Sequence, residues 1–139
     1  DSLIEKKVGK TISEIFSSDG EDYFRQQEQE ILLNFNFQGV MSLGGGALTR
    51  VSPLELKKKG RLVYLRASPS ELLKRLKSQC ELRPLLSGKS EKERETFVRQ
   101  KLAERQANYQ MSDLIIDVDG LTPDKVVDLI CQSEGNLRA

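Results

Sequence analysis

The segment Val40-Met41-Ser42-Leu43-Gly44-Gly45-Gly46 passes from a short apolar run straight into three residues without a Cβ. Val40 to Leu43 reads as a buried strand. Three adjacent glycines at a strand end permit positive φ angles and let a ligand approach bare amides. A tight turn made for packing alone is the competing reading, and the position at a strand end favours function.

Two further apolar runs bounded by Gly, Asp or Ser, Leu62 to Leu65 and Leu114 to Val118, read as strands of the same kind. Helix starts lie between them. Ser18 with Glu21, Ser52 with Glu55, Ser68 with Glu71 and Ser90 with Glu93 have capping-box spacing. Pro53, Pro69 and Pro123 each follow a Ser or Thr, where the missing amide costs nothing. Helices are therefore expected to start near 19, 53, 69, 91 and 123. The order is helix, helix, strand, helix, strand, helix, long helix, strand, helix, the alternation of an α/β protein with a parallel sheet. Ligands in such sheets bind at the carboxyl ends of the strands.

A chain of 139 residues fits one domain and removes roughly two-thirds of its unfolded surface from water. Its 22 basic and 21 acidic side chains leave a net charge of +1. No long-range field attracts nucleic acid or an anionic membrane, so a small molecule is the expected partner. The apolar runs are too short to span a bilayer, and no signal segment opens the chain. Cys80 and Cys131 stand alone in a chain without histidine, which excludes the common zinc spacings and a disulfide framework. A reducing compartment follows as the simplest context. The chain begins at Asp1 without an initiator Met, and something upstream is expected to have been removed or left out.

Arginines carry the next signal. Val98, Leu102, Arg105 and Tyr109 share one face of the long helix, which puts a guanidinium on an apolar stripe. Burying it demands an anion, from the protein or from a ligand. Arg25, beside Phe24, has Glu28 three residues on as a possible intrahelical partner. Either arginine alone could serve a structural ion pair. Two of them near a glycine turn raise the case for a small carboxylate, which the planar fork binds bidentately. The polar stretch 77–92, with Arg83-Pro84-Leu85-Leu86, is long for a connection and reads as a lid or as an ordinary surface loop. Arg83 could close there on a transferring phosphate, or be a solvated charge. Lys57-Lys58-Lys59 reads as a solvated helix end, and Cys131 as a core residue. Gly9-Lys10-Thr11 and Gly88-Lys89-Ser90 mimic the end of a Walker A loop, but neither follows a strand and the required earlier glycine is replaced by Ile4 and Arg83.

The sequence resembles shikimate kinase. The likeness is carried by Asp1 with Ile4-Glu5, Ile12-Ser13-Glu14-Ile15-Phe16, and Gly20-Glu21-Asp22-Tyr23-Phe24-Arg25 followed by Glu28. It continues in Leu43-Gly44-Gly45-Gly46-Ala47, Val63-Tyr64-Leu65, Arg83-Pro84-Leu85-Leu86 and Glu104-Arg105 with Tyr109. The resemblance implies ATP-dependent phosphorylation of the 3-hydroxyl of shikimate with Mg²⁺, in a monomer located in the cytoplasm, or in the plastid of a plant. It implies a three-layer α/β fold of the nucleoside-monophosphate-kinase type. In that fold Asp1 would orient or deprotonate the reacting hydroxyl, and Arg25 and Arg105 would clamp the carboxylate. Gly44, Gly45 and Gly46 would offer backbone to the substrate, Gly45 its amide. Arg83 would reach the phosphates from the lid, and Arg75 would lie near the adenine beside Asp119-Gly120-Leu121, although Leu121 departs from the basic or amide residue usual there.

By the same resemblance the chain, a single domain over 1–139, lacks the first two strands and the phosphate loop, and is incomplete for catalysis by itself. The first strand would sit between Val40–Leu43 and Leu62–Leu65. Its absence would leave backbone groups unpaired at about 1–3 kcal/mol each, against roughly 5–15 kcal/mol for a whole domain, so the chain alone is not expected to fold stably. A non-catalytic binding protein that has lost the phosphate loop is the alternative. A kinase of related hydroxylated acids such as gluconate is the third.

Overall fold

The fold is known from a computed structural model, which describes residues 1–36, 38–76, 86 and 88–135. Three helices open it: α1 (Ser2–Val8), α2 (Ile12–Ser18) and α3 (Gly20–Asn34). Gly9 ends α1 in the left-handed region, at φ 75°, where L side chains are disfavoured. Thr11 then opens α2 with a reciprocal capping box to Glu14, which the sequence reading did not single out. Gly9-Lys10-Thr11 is thus a helix end followed by a helix cap, and Lys10 pairs with Asp19 at 2.7 Å. The expected cap at Ser18 is not formed. Its hydroxyl donates to the Glu14 carbonyl, and Asp19 occupies the N-cap of α3.

Ile4, Ile15 and Phe24 bury the apolar faces of these helices against one another, joined by Val8, Ile12, Phe16, Tyr23 and Ile31. Phe16 and Phe24 meet at 5.0 Å with their rings tilted by 44°. A second cluster of Leu32, Ala47 and Val51, with Met41, Leu43 and Leu56, fixes the glycine turn against α3.

A short 3-10 helix (Ala47–Thr49) and α4 (Pro53–Lys57) follow the turn, and then come β1 (Val63–Arg66), α5 (Pro69–Leu76), α6 (Glu91–Gln110), β2 (Leu114–Asp117) and α7 (Pro123–Gly135). Helices begin at 53, 69, 91 and 123 as the Ser-Pro, Ser-Glu and Thr-Pro signals require. Ser90 and Glu93 complete the second capping box. Strands β1 and β2 pair in parallel, Val63 opposite Leu114 and Arg66 opposite Asp117. The crossover through α5 and α6 makes this the α/β arrangement read from the alternation of elements.

Val40 to Leu43 departs from expectation. It forms no ladder among the described residues, because a strand exists only through a partner and none lies beside it. Its alternation survives: Met41 and Leu43 turn toward the second cluster while Ser42 faces out and Val40 is 95% exposed. Cys131 is also corrected. It is exposed on α7, beside Val127 at 56% and Leu129 at 38%, because no described element packs closely over that face.

Of the three lysines at the end of α4, Lys57 and Lys59 act as fasteners, while Lys58 is exposed. Lys57 donates to the Met111 carbonyl and pairs with Asp113 at 2.7 Å, and Lys59 donates to the Phe35 carbonyl. Asp113 exchanges two hydrogen bonds with Leu62, its amide giving to the Leu62 carbonyl and its carboxylate accepting from the Leu62 amide. The Lys57 ammonium, then that amide, holds the Asp113 carboxyl below the usual range. A lowered carboxylate stabilises the fold above its unfolded pKa and loses that contribution as the pH falls through the lowered value. Asp113→Asn is therefore expected to cost about 0.5–1 kcal/mol at neutral pH. The deficit should disappear as the pH falls through that lowered value, which urea unfolding of both proteins across the acid limb would measure.

Candidate functional site

Around the glycine turn three helices deliver side chains to one place. Arg25 and Glu28 come from α3, Arg105 and Tyr109 from α6, and Asp1 caps α1. A side chain on any of the three glycines would meet the charged tip of a neighbouring residue. A Cβ on Gly46 would lie inside the van der Waals envelope of the Arg25 Cζ, Nη1 and Nη2 atoms. One on Gly44 would stand 2.8 Å from Glu28 Oε1, and one on Gly45 would stand 3.3 Å from Arg105 Nη1. The glycines are therefore there for close approach, and none of the three needs a positive φ.

The hydrogen bonding of the turn is lopsided. Gly44's carbonyl accepts from the Ala47 amide, and Gly46's accepts from the Thr49 amide and hydroxyl. Gly45's carbonyl accepts from Tyr109 Oη at 2.5 Å. With all three acceptors used, the capacity left at the turn is on the amide side, which suits an anion or a hydroxyl oxygen.

Arg25 Nη1 donates to Glu28 at 2.7 Å, its Nε reaches Glu21 at 3.4 Å, and its guanidinium stacks on the Phe24 ring at 5.0 Å. Glu28 is the only buried charged side chain among the described residues, at 7% exposure. The possible intrahelical partner read from the sequence is thus the real one, and it aims the fork of Arg25 under Gly46. Arg105 behaves differently. It sits on the stripe with Val98, Leu102 and Tyr109, and its buried Nε has no hydrogen-bond partner. The demand for an anion is therefore unmet by the protein.

Arg94 Nε is buried and unpartnered too, four residues before Val98 on the same stripe. The sequence reading missed it, although the i, i+4 spacing to Val98 was a visible signal. Asn108 was also missed: it donates to the Leu48 carbonyl at 2.8 Å and clips α6 to the end of the turn. A lone Asn in a helix offers no sequence signal for that.

Asp1 is exposed, and its carbonyl accepts the first two amides of α1 that need a partner, Ile4 and Glu5. It lines a cleft of about 50 Å³ together with Glu28, Ser42, Leu43 and Gly44, so Asp1 stands at the same cleft as the first glycine of the turn. Arg75 lies elsewhere, at the carboxyl ends of the strands. It donates to Glu71 at 2.7 Å and to the Val118 carbonyl at 3.3 Å. Asp119 accepts from the Ser68 amide, and the bond with Ser68 lowers its carboxyl. Arg75 is thus a neighbour of the segment that begins at Asp119. Arg83 and most of the expected lid 77–92 lie outside the described residues; residues 91 and 92 already belong to α6. Among the described residues no three Asp, Glu or Cys side chains converge as a metal site, and no helix is long and apolar enough to cross a membrane.

Helices α3 and α6 bring two arginines to a glycine turn in a chain whose two strands pair in parallel through a helical crossover. The shikimate kinase family profile matches residues 1–133, and the chain belongs to that family. It is 40% identical over 133 residues to the shikimate kinase of Thermodesulfovibrio yellowstonii, covering 94% of this chain and 75% of that protein. To the one from Chlorobaculum parvum it is 41% identical over 127 residues, 86% of this chain and 67% of that protein. The crystal structure of the Bacteroides thetaiotaomicron shikimate kinase superimposes with a TM-score of 0.82 at 29% identity, over 100% of this chain and 81% of the other. Shikimate kinase from Acinetobacter baumannii in complex with shikimate superimposes with a TM-score of 0.78 at 30% identity, over 96% and 76%. The enzyme class is that of an ATP-using phosphotransferase.

Proposed function

We propose that this chain forms the acceptor side of a kinase that phosphorylates the 3-hydroxyl of shikimate. The observation that carries the reading is Arg105, a guanidinium on an apolar stripe with a buried Nε that no protein group satisfies. Arg25, already aimed by Glu28, supplies the second fork, and two forks bind one carboxylate with charge-assisted hydrogen bonds. The amides of the glycine turn then receive a hydroxyl oxygen or carboxylate oxygen of the same molecule. Asp1, lining the cleft beside Gly44, orients the reacting hydroxyl and takes its proton. Fixing the acceptor in this way turns a bimolecular encounter into an aligned one, which is the larger part of catalysis in phosphoryl transfer.

Arg75 at the edge of the 119–121 segment fits a place beside the adenine of ATP, and Arg83 is assigned by its Arg-Pro-Leu-Leu context to the transferring phosphate. Mg²⁺ arriving with ATP would supply charge neutralisation at the transferring phosphate. Asp1, Arg25, Gly44 to Gly46 and Arg105 all come from one chain, which makes a monomer sufficient for the acceptor site. Shikimate-dependent ADP release by the full-length parent protein, phosphate loop included, is the test. Release that needs shikimate and is not supported by gluconate is expected, and release with gluconate but not shikimate contradicts the reading.

A further inference from the structure

Of the three carbonyls in the glycine turn, two are held by the local backbone and one by a distant side chain. That one is Gly45's, bound by the Tyr109 hydroxyl at 2.5 Å across 64 residues of sequence. Every peptide bond described is trans, so a fixed Gly45 carbonyl sends the Gly46 amide in the opposite direction. The tyrosine is itself braced. Its ring packs on Tyr64 of β1 at 4.7 Å with a 33° tilt, and its neighbour Asn108 is clipped to Leu48. Arg105 lies one turn earlier on the same face, near Gly45.

We propose that Tyr109 is a positioning residue: its hydroxyl sets the plane of the Gly45–Gly46 peptide so that the turn's amides and the Arg105 guanidinium face one acceptor. This rests on the shikimate reading above. Tyr109 touches no reacting atom and acts only through the turn. Without its hydroxyl the three glycines, which have the greatest backbone freedom of any residues, are left to choose among orientations.

Tyr109→Phe keeps the ring stack and removes one hydrogen bond. In the protein the KM for shikimate should rise about tenfold, with kcat within about twofold and the KM for ATP unchanged. Thr11→Ala, which loses the capping box of α2 and bonds no residue of the site, should leave all three constants as they were. An unchanged KM for shikimate in Tyr109→Phe overturns the proposal, as does a parallel loss in kcat and both KM values, which would mark a structural role alone. A second arm needs no activity: ¹⁵N relaxation should show the Gly45 and Gly46 amides more mobile in Tyr109→Phe, and equal mobility overturns it. If the unaltered protein does not phosphorylate shikimate, the functional reading fails, and this arm decides the role of Tyr109 by itself.

Discussion

Arg105→Met should lower kcat/KM for shikimate by about a hundredfold or more and at the same time raise the melting temperature. The two effects have one cause. Arg105 stands among Val98, Leu102 and Tyr109 with a buried Nε that no protein group satisfies, and an unpaired buried donor costs about 1–3 kcal/mol. Methionine fills similar volume and brings no unpaired group, so the fold gains on the order of 1 kcal/mol, or a few degrees. The acceptor loses a bidentate, charge-assisted contact worth about 3 kcal/mol, which is the hundredfold. Steady-state kinetics and thermal unfolding on the same preparations check both halves. A variant that melts lower, with kinetics unchanged, would mean that the arginine is structural.

Gly46→Ala should be nearly as damaging, and by another route. The new methyl would occupy the space of the Arg25 guanidinium, whose flexible stem lets it swing away. The fold then survives while the fork is lost from the site, and Glu28, 7% exposed, loses its Arg25 partner. A fall in kcat/KM of about a hundredfold is expected, with about 1–3 kcal/mol of stability lost through Glu28. Gly60→Ala is the control, since a Cβ there meets nothing within 4 Å. Equal behaviour of the two substitutions would refute the packing argument.

Local chemistry was the legible part of this sequence. Ser-Pro, Thr-Pro and Ser-x-x-Glu signals placed the starts of α4, α5, α6 and α7, because a cap is decided within four residues. Strands β1 and β2 were displaced by a residue at most at their ends from the apolar runs that foretold them. Val40 to Leu43 shows the limit. Its apolar run was read as a buried strand, but pairing is a long-range property that no local pattern contains, and Val40 is 95% exposed. Cys131 fails for the same reason, since an apolar helix face is buried only if something covers it.

The candidate site divides along the same line. The Arg25–Glu28 pair was visible because both residues sit on one helix, three positions apart. The stripe made Arg105 conspicuous, and the glycines announced close approach without saying to what. That Gly46 faces Arg25, Gly44 faces Glu28 and Gly45 faces Arg105 depends on α3 and α6 both reaching the turn, which only the fold states. The clip from Asn108 to Leu48 spans 60 residues and left no trace in the sequence.

Calorimetric titration of the protein with shikimate and with its methyl ester tests the arginine clamp most directly, because the two ligands differ in a single charge at the group that Arg25 and Arg105 are said to hold. Shikimate should bind at least tenfold more tightly than the ester, and Arg105→Met should erase the difference. Equal affinity for acid and ester in the unaltered protein would contradict the account.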